Sequence, residues 1–303
     1  MSIIRTENLG KVYKGGTTAL NGLDLEVHPG EVFGFLGPNG AGKSTTIQLL
    51  LNFIRPTAGT AFLFDGPVTC TKSRQRLGYL PESVNLQTYY TGQRLLEFHA
   101  GLFGIEPGVR ARRAMELLEL VGLLEAAGKS VSQYSKGMLQ RLGLAQALIN
   151  DPELLILDEP TSNLDPVGRR DFREILLEHR ARGKTVFICS HILSEVESVC
   201  DRVAILKRGV LNRVGTMEEL SGAKGFKIVA RDLPAAAIDA LSTSAARVTL
   251  HGKNATITCG DEEVRDEVER VLRESAVVIE HVEAETQSLE EIFFGAIDRK
   301  AES

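Results

Sequence analysis

The segment Gly37-Pro-Asn-Gly-Ala-Gly-Lys-Ser44 constrains this chain more than any other feature of its sequence. It has the Gly-x-x-x-x-Gly-Lys-Ser spacing of a phosphate-binding loop, and it lies between a predicted strand, Glu31–Leu36, and a predicted helix, Ser44–Leu51. Its glycines let backbone N–H groups curl around a polyphosphate, and the helix N-terminus adds a favourable dipole. A glycine-rich turn that binds nothing is disfavoured, because strand, loop and helix follow in the required order.

Each residue of this loop has an expected task. Lys43 would reach the β- and γ-phosphates, and the Ser44 hydroxyl would ligate Mg²⁺. The residues predicted to contact the nucleotide here are Gly37, Asn39, Gly40, Ala41, Gly42, Lys43, Ser44 and Thr45.

Acidic residues follow a second apolar run, Leu154–Leu157, which predicts a buried strand. Asp158 and Glu159 come at its carboxyl end, where open α/β sheets bind their ligands. Asp158 would hold the shell of a Mg²⁺ ion, and Glu159 would polarise an attacking water as a general base. An Asp-Glu pair after an apolar run is commonly a surface cap. Downstream of a phosphate-binding loop, the functional interpretation is favoured.

Length and charge bound the remaining possibilities. A chain of 303 residues predicts about two domains. The net charge is −5, and residues 222–303, with 10 basic and 16 acidic side chains, carry the acidic excess. Neither part has the strongly basic character of a nucleic-acid-binding domain, so nucleic acid is not an expected partner. No run of 18 apolar residues and no secretory signal occurs, which predicts a soluble, cytoplasmic protein.

Apolar strand-like runs alternate with helical patterns, which predicts an α/β fold for residues 1–221. Thr91 is the expected N-cap of a helix that reaches Phe103. A small, polar, glycine-containing stretch near residues 221–225 marks a domain boundary. Beyond it, residues 222–303 have a β-α-β-β-α-β order followed by a helix near Leu289–Ile297, which is compatible with a small ferredoxin-like α+β domain.

Three further motifs narrow the class of protein. These are Tyr134-Ser-Lys-Gly-Met138, Ser162-Asn-Leu-Asp165, and His191 after the predicted strand Thr185–Ser190. Together with the phosphate loop and the acidic pair, in this order, they make residues 3–220 resemble the ATP-binding cassette (ABC) family. The resemblance implies a P-loop NTPase core with a helical subdomain. It also implies that residues 134–138 form the signature loop, residues 162–165 the D-loop with Asp165 at the nucleotide, and His191 the γ-phosphate sensor.

The signature loop departs from the family's usual Leu-Ser-Gly-Gly-Gln at Tyr134, Lys136 and Met138, whereas Ser135 and Gly137 remain. In the family, the latter two residues face the phosphates. A hydroxyl and backbone N–H groups at the start of a helix also make an anion site on physical grounds. A simple N-cap is the alternative role of Ser135, and both roles can hold together.

Two more residues take their expected roles from the resemblance. Tyr13 lies where the family places an aromatic ring that stacks on adenine, with local packing as the alternative. Glu82, in Gly78-Tyr-Leu-Pro-Glu82, replaces the family's usual Gln, which contacts the metal and the attacking water. A glutamate there would still bind Mg²⁺ but would repel the γ-phosphate. The Tyr-Leu-Pro-Glu segment, like Ser288–Phe293, resembles type-2 ABC exporters.

The resemblance therefore implies the ATPase subunit of an ABC transporter. Two such chains would bind two ATP molecules and Mg²⁺ head to tail, and would drive separate membrane-spanning permease chains, with export favoured. The protein would then lie at the inner face of the cell membrane. The alternative is a soluble ABC ATPase that acts on DNA or ribosomes. The 90 positions from Ser44 to Tyr134 are too few for the coiled coil of DNA-repair members, and ribosome-acting members carry two cassettes.

Overall fold

The computed structural model describes residues 2–64, 66–221, 223–242, 246–251, 254–286 and 289–298. These residues divide into two compact units, one reaching Thr216 and the other running from Met217 to Asp298. The structure thus groups residues 217–221, which the sequence placed at the end of the first domain, with the second unit.

In the first unit the strands are β1 (Ile4–Val12), β2 (Thr18–Val27), β3 (Val32–Leu36), β4 (Ala58–Leu63), β5 (Gly66–Pro67), β6 (Leu77–Leu80), β7 (Leu154–Asp158), β8 (Thr185–Ser190), β9 (Arg202–Lys207) and β10 (Val210–Thr216). Its helices are α1 (Lys43–Leu50), α2 (Thr71–Arg74), α3 (Gly92–Leu102), α4 (Pro107–Leu120), α5 (Lys136–Ala147), α6 (Pro166–Ala181) and α7 (Leu193–Val199).

The larger sheet of this unit has the order β10-β9-β3-β8-β7-β6. The pairs from β9 to β6 are parallel, and β10 is antiparallel to β9. Every residue of β3, β7 and β8 is buried, as expected for parallel strands that are covered on both faces. Because these three strands are neighbours and parallel, the segments that follow them meet at one edge of the sheet.

A second, antiparallel sheet has the order β2-β1-β4-β5. Buried residues of both sheets and of α1 form one hydrophobic core. The rings of Phe33 and Phe187, on the adjacent strands β3 and β8, stack with centroids 5.9 Å apart. Full burial of a side chain of this size stabilises the fold by about 1.5–3 kcal/mol. Ile47, Leu49 and Leu50 of α1 belong to the same core, which fixes the helix that follows the phosphate-binding loop.

Helices α3, α4 and α5 pack on one another and form the helical part of this unit. The Thr91 hydroxyl accepts a hydrogen bond from the Arg94 N–H at 3.3 Å, which confirms the predicted N-cap. The buried Tyr134 hydroxyl donates to the Ala126 carbonyl at 2.7 Å and thereby fixes the chain just before α5 begins.

The second unit consists of α8 (Met217–Ser221), β11 (Ala223–Arg231), α9 (Ala235–Ser242), β12 (Arg247–His251), β13 (Asn254–Cys259), α10 (Glu262–Glu274), β14 (Val278–Thr286) and α11 (Leu289–Asp298). Its antiparallel sheet has the order β12-β13-β11-β14, which is the strand order of ferredoxin-like folds. Ile228 and Ile257 from the sheet pack with Val268 and Leu272 of α10 in its core.

Candidate functional site

The loop between β3 and α1 has a backbone that only glycine adopts easily. Gly42 has φ 111°, and a Cβ atom added to it would lie 2.6 Å from the Ala19 carbonyl oxygen. A Cβ added to Gly37 would lie 2.6 Å from the Leu206 carbonyl oxygen. These positions therefore require glycine for steric reasons, and the loop can expose its N–H groups along one side.

Lys43 directs its ammonium group back into this loop. Its Nζ donates a hydrogen bond to the Gly37 carbonyl oxygen at 2.6 Å and lies 3.5 Å from Oε1 of Glu159. The residue is only 6% exposed, so these partners are needed to offset the loss of hydration of a buried charge.

Glu159 and His191, the two residues predicted to be catalytic, are in contact. Oε2 of Glu159 lies 2.7 Å from His191 Nδ1 and accepts a second hydrogen bond from the His191 N–H at 3.3 Å. Because an ionised carboxylate only accepts hydrogen bonds, Nδ1 carries the proton in this pair. Glu159 has φ 47°, and its N–H donates to the Cys189 carbonyl at 2.9 Å, which fixes this left-handed conformation at the end of β7.

Asp158 is buried beside the N-terminus of α1. Burial is the main cause that raises the pKa of its carboxyl group to about 6; the negative charges of Glu159 and Glu82 act in the same direction. A hydrogen bond from Ser44 and the positive charge of Lys43 oppose this shift. Its Oδ1 atom is buried without a hydrogen-bond partner among the described residues.

This arrangement fits a hard divalent cation. A buried carboxylate oxygen with no partner, beside a serine hydroxyl, is the type of oxygen donor set that Mg²⁺ takes together with substrate phosphates. Since nearly all buried polar atoms in proteins are paired, the unpaired oxygen of Asp158 is available to bind a cation.

A cleft of about 480 Å³ lies above the loop. Its lining includes most of the residues predicted from the sequence, namely Tyr13, Asn39, Gly40, Ala41, Gly42, Lys43, Ser44, Thr45, Glu82, Glu159 and His191. The Tyr13 hydroxyl lies 3.4 Å from the Thr45 hydroxyl, and both residues line the cleft. Further lining residues that the sequence analysis missed are Thr17, Thr18, Ala19, Pro38 and Ser162.

Five predicted ligands are not part of the lining of this cleft. Gly37 and Asp158 contact lining residues, since Lys43 donates to the Gly37 carbonyl and Ser44 donates to Asp158, whereas Ser135, Gly137 and Asp165 lie elsewhere. Ser135 is exposed, and its hydroxyl accepts the Met138 N–H at 3.2 Å, so its predicted role as the N-cap of α5 is confirmed. Asp165 caps α6 in the same way, accepting the Gly168 N–H at 2.9 Å. A Cβ added to Gly137 would lie 3.3 Å from the Asn163 carbonyl, so the 134–138 and 162–165 segments adjoin within one chain.

Comparison with known proteins identifies the class. The family model described as ABC transporter matches residues 20–162. An uncharacterized ABC transporter ATP-binding protein of Nostoc is 52% identical over 231 residues, which is 74% of this chain and 69% of the relative. The Nod factor export ATP-binding protein I of Burkholderia orbicola is 38% identical, covering 83% of this chain and 84% of the relative. The chain belongs to the ABC transporter family and is one of its ATP-binding, ATP-hydrolysing subunits.

A solved structure agrees with this assignment. The ATP-binding cassette MJ0796, a dimer in a post-hydrolysis state bound to ADP and Pi, matches with a TM-score of 0.66 and 26% identity, over 71% of this chain and 99% of that chain. The fold predicted from the resemblance, an ABC ATPase core with a helical subdomain and a small α+β part, is therefore confirmed. Within the described part of the chain, no helix combines the length and apolarity needed to span a bilayer.

Proposed function

We propose that the cleft binds ATP with Mg²⁺, and that Glu159 is the general base of hydrolysis. The observation that carries this proposal is the meeting of Lys43, Asp158, Glu159 and His191 at one edge of the sheet. Lys43 would bind the β- and γ-phosphates, Ser44 and Asp158 would hold the cation, and the Tyr13 ring would lie against the base. When bound, Mg²⁺ would neutralise charge on the phosphate oxygens.

The contacts of Glu159 indicate what ATP binding changes. Lys43 has a single ammonium group, which in this state divides its contacts between the Gly37 carbonyl and Glu159. Phosphate oxygens that draw Lys43 towards them weaken its attraction for Oε1 and leave that oxygen able to accept a proton from water. His191 would hold the other oxygen and so would orient the carboxylate. Glu82, at the exposed rim of the cleft, would contribute a carboxylate to the bound metal ion.

A second copy of the chain would complete each site. Ser135 and Gly137 lie outside the cleft of their own chain, yet they begin α5, whose first backbone N–H groups form a site for an anion. Head-to-tail pairing would place them, with Asp165 nearby, on the nucleotide of the partner. The dimeric state of MJ0796 supports this arrangement.

The membrane partner and the direction of transport belong to the same proposal. We infer that the dimer binds integral membrane permease subunits on separate chains and therefore lies at the cytoplasmic face of the membrane. The similarity to a Nod factor export protein supports export. We propose that the unit ending at Thr216 is the ATPase domain and that the unit Met217–Asp298 is an accessory domain. A soluble ABC ATPase with no permease is not favoured by these relatives.

The central experiment replaces the base. Glu159→Gln should bind ATP with unchanged affinity and hydrolyse it on the order of 10²-fold more slowly, because the amide cannot accept the proton of water. Glu153→Gln is a matched control, since Glu153 is an exposed residue just before β7, at the end opposite Glu159. Near wild-type hydrolysis by Glu159→Gln, measured as phosphate release with saturating Mg²⁺ and ATP, would refute the assignment.

A further inference from the structure

A buried glutamine of α5 holds the residue that follows Glu159. Gln140 is 1% exposed, and its Nε2 donates a hydrogen bond of 2.8 Å to the Pro160 carbonyl oxygen. Gln140 lies in α5, which Ser135 caps and which we call the signature helix because it begins within the signature loop. The bond therefore ties the signature helix to the end of β7. A carbonyl left unpaired in this buried position would be unfavourable, so the bond restricts where the segment can lie.

A residue of α7 holds the next position of the same segment. The Thr161 hydroxyl donates a hydrogen bond to Oε2 of Glu195. Arg169 of α6 lies 3.3 Å from the other carboxylate oxygen of Glu195 and so holds it from a second helix. Thr161 and Glu195 border a cavity of about 360 Å³. Thr161 is nonetheless only 5% exposed, so the partner of its hydroxyl restricts how the residue can lie.

The backbone of Glu159 makes this support necessary. Its φ of 47° lies in the left-handed region, which a non-glycine residue adopts at a cost and keeps only when its surroundings enforce it. The Glu159 N–H is fixed by the Cys189 carbonyl on the strand side. On the other side, the chain is fixed by the bonds that Pro160 and Thr161 make.

We propose that Gln140 and Glu195 are positioning residues that hold the Pro160–Thr161 segment and thereby aim the carboxylate of Glu159. This inference rests on the proposed role of Glu159 as the base. It adds that the signature helix α5 and the helix after His191 both act on the same two-residue segment. Movement of α5 as it engages the partner's nucleotide would therefore change the orientation of the base in its own site.

The first test removes the hydrogen bond but keeps the side-chain volume. In the full-length protein, Gln140→Met should lower kcat about tenfold while ATP affinity changes little. Because the buried Pro160 carbonyl loses its partner, the melting temperature should fall by several degrees, with the protein still folded at the assay temperature. Gln146→Met is the matched control, because Gln146 lies on the same helix, has a buried Oε1 without a partner in the described part of the chain, and lies away from Pro160. Wild-type kcat in Gln140→Met, or an equal loss in Gln146→Met, would overturn the proposal.

A second variant tests the hydrogen bond itself through pH. A glutamic acid at position 140 donates to the Pro160 carbonyl only while protonated, and burial raises the pKa of such a carboxyl group. The kcat of Gln140→Glu relative to wild type should therefore fall as pH rises, whereas the ratio for Gln140→Met should stay flat. A ratio for Gln140→Glu that does not change between pH 5.5 and 9 would contradict a hydrogen-bonding role.

Combined variants separate this inference from the proposed function. If Gln140 acts through Glu159, Gln140→Met should cause no further loss in the Glu159→Gln background. Gln140→Met and Thr161→Val should likewise lower kcat together by less than the product of their separate effects. Full activity of Glu159→Gln would mean that the base is assigned wrongly. Loss of activity in Glu159→Gln with normal activity in Gln140→Met would refute the positioning role alone.

Discussion

A buried histidine should make the stability of the ATPase unit depend on pH. His179 lies on α6, is 4% exposed, and its Nε2 has no hydrogen-bond partner among the described residues. Burial, followed by the positive charges of Lys184 and Arg182, lowers its pKa from 6.5 to about 4, while Asp151 acts weakly in the opposite direction. Between these values the unfolded chain binds a proton that the folded chain does not. Folding stability should therefore fall as pH drops from 6.5 towards 4.

The size of the effect follows from the shift. Each pKa unit corresponds to about 1.4 kcal/mol, so His179 should account for about 2 kcal/mol of lost stability at pH 5 and about 3 kcal/mol at pH 4. His179→Leu cannot bind the proton and should lose that much less stability than wild type over the same range. The exposed His28 provides the control variant His28→Leu, because solvent reaches its side chain in both states.

Urea denaturation followed at several pH values measures this difference, since carboxylates that titrate in the same range cancel between wild type and variant. A wild-type pH dependence that His179→Leu leaves unchanged would show that His179 is protonated in the folded protein or has access to water, and would refute the reasoning.

Two further predictions concern assembly. Lys43→Ala and Ser135→Arg should each abolish ATP-dependent dimerisation, measured by size-exclusion chromatography. A mixture of the two variants should regain dimerisation, because one site of the mixed dimer is intact. If the mixture dimerises no better than either variant, Ser135 is a helix cap alone. Tyr89, 76% exposed with its ring 4.5 Å from that of Tyr90, should contact the permease. Tyr89→Asp should then reduce co-purification of the permease and leave hydrolysis intact. The control Phe53→Asp, which introduces the same charge at another exposed aromatic residue, should leave co-purification unchanged.

The elements that could be predicted from the sequence are those with strong local signals. The strands β3 and β7 are continuous apolar runs, and the phosphate-binding loop between β3 and α1 has a fixed spacing of glycines. Strand β4 was missed because its sequence, Ala-Gly-Thr-Ala-Phe-Leu, is small and half exposed. The first residues of β2, Thr18-Ala-Leu-Asn-Gly22, include Asn and Gly, which are uncommon in strands, so the sequence carries no signal for the Thr17–Ala19 wall of the cleft.

Contacts between distant residues could not be predicted in this way. The pairing of Glu159 with His191 depends on the adjacency of β7 and β8, and the bond from Gln140 to Pro160 depends on how α5 packs near β7. The family resemblance supplied the roles of individual residues. The left-handed conformation of Glu159 could not be predicted from the sequence either. Glycine or asparagine usually marks such a backbone position, and here the residue is a glutamate.

The charges around the cleft explain why the nucleotide and its cation should bind together. Glu82, Asp158 and Glu159 place three carboxyl groups near the phosphate-binding loop, whereas Lys43 is the only Lys or Arg among the lining residues described. Burial, reinforced by the negative charges of Glu159 and Glu82, raises the pKa of Asp158, so a further negative charge is disfavoured at this place. A polyphosphate would add several negative charges at the same place, where burial limits screening by water. The backbone N–H groups of the loop and Lys43 offset part of this repulsion, and a divalent cation between Asp158 and the phosphates would offset the rest. If the cleft binds ATP with Mg²⁺ as proposed, Glu82 should make binding more dependent on the cation, because it adds a negative charge at the rim where the resemblance places a neutral glutamine.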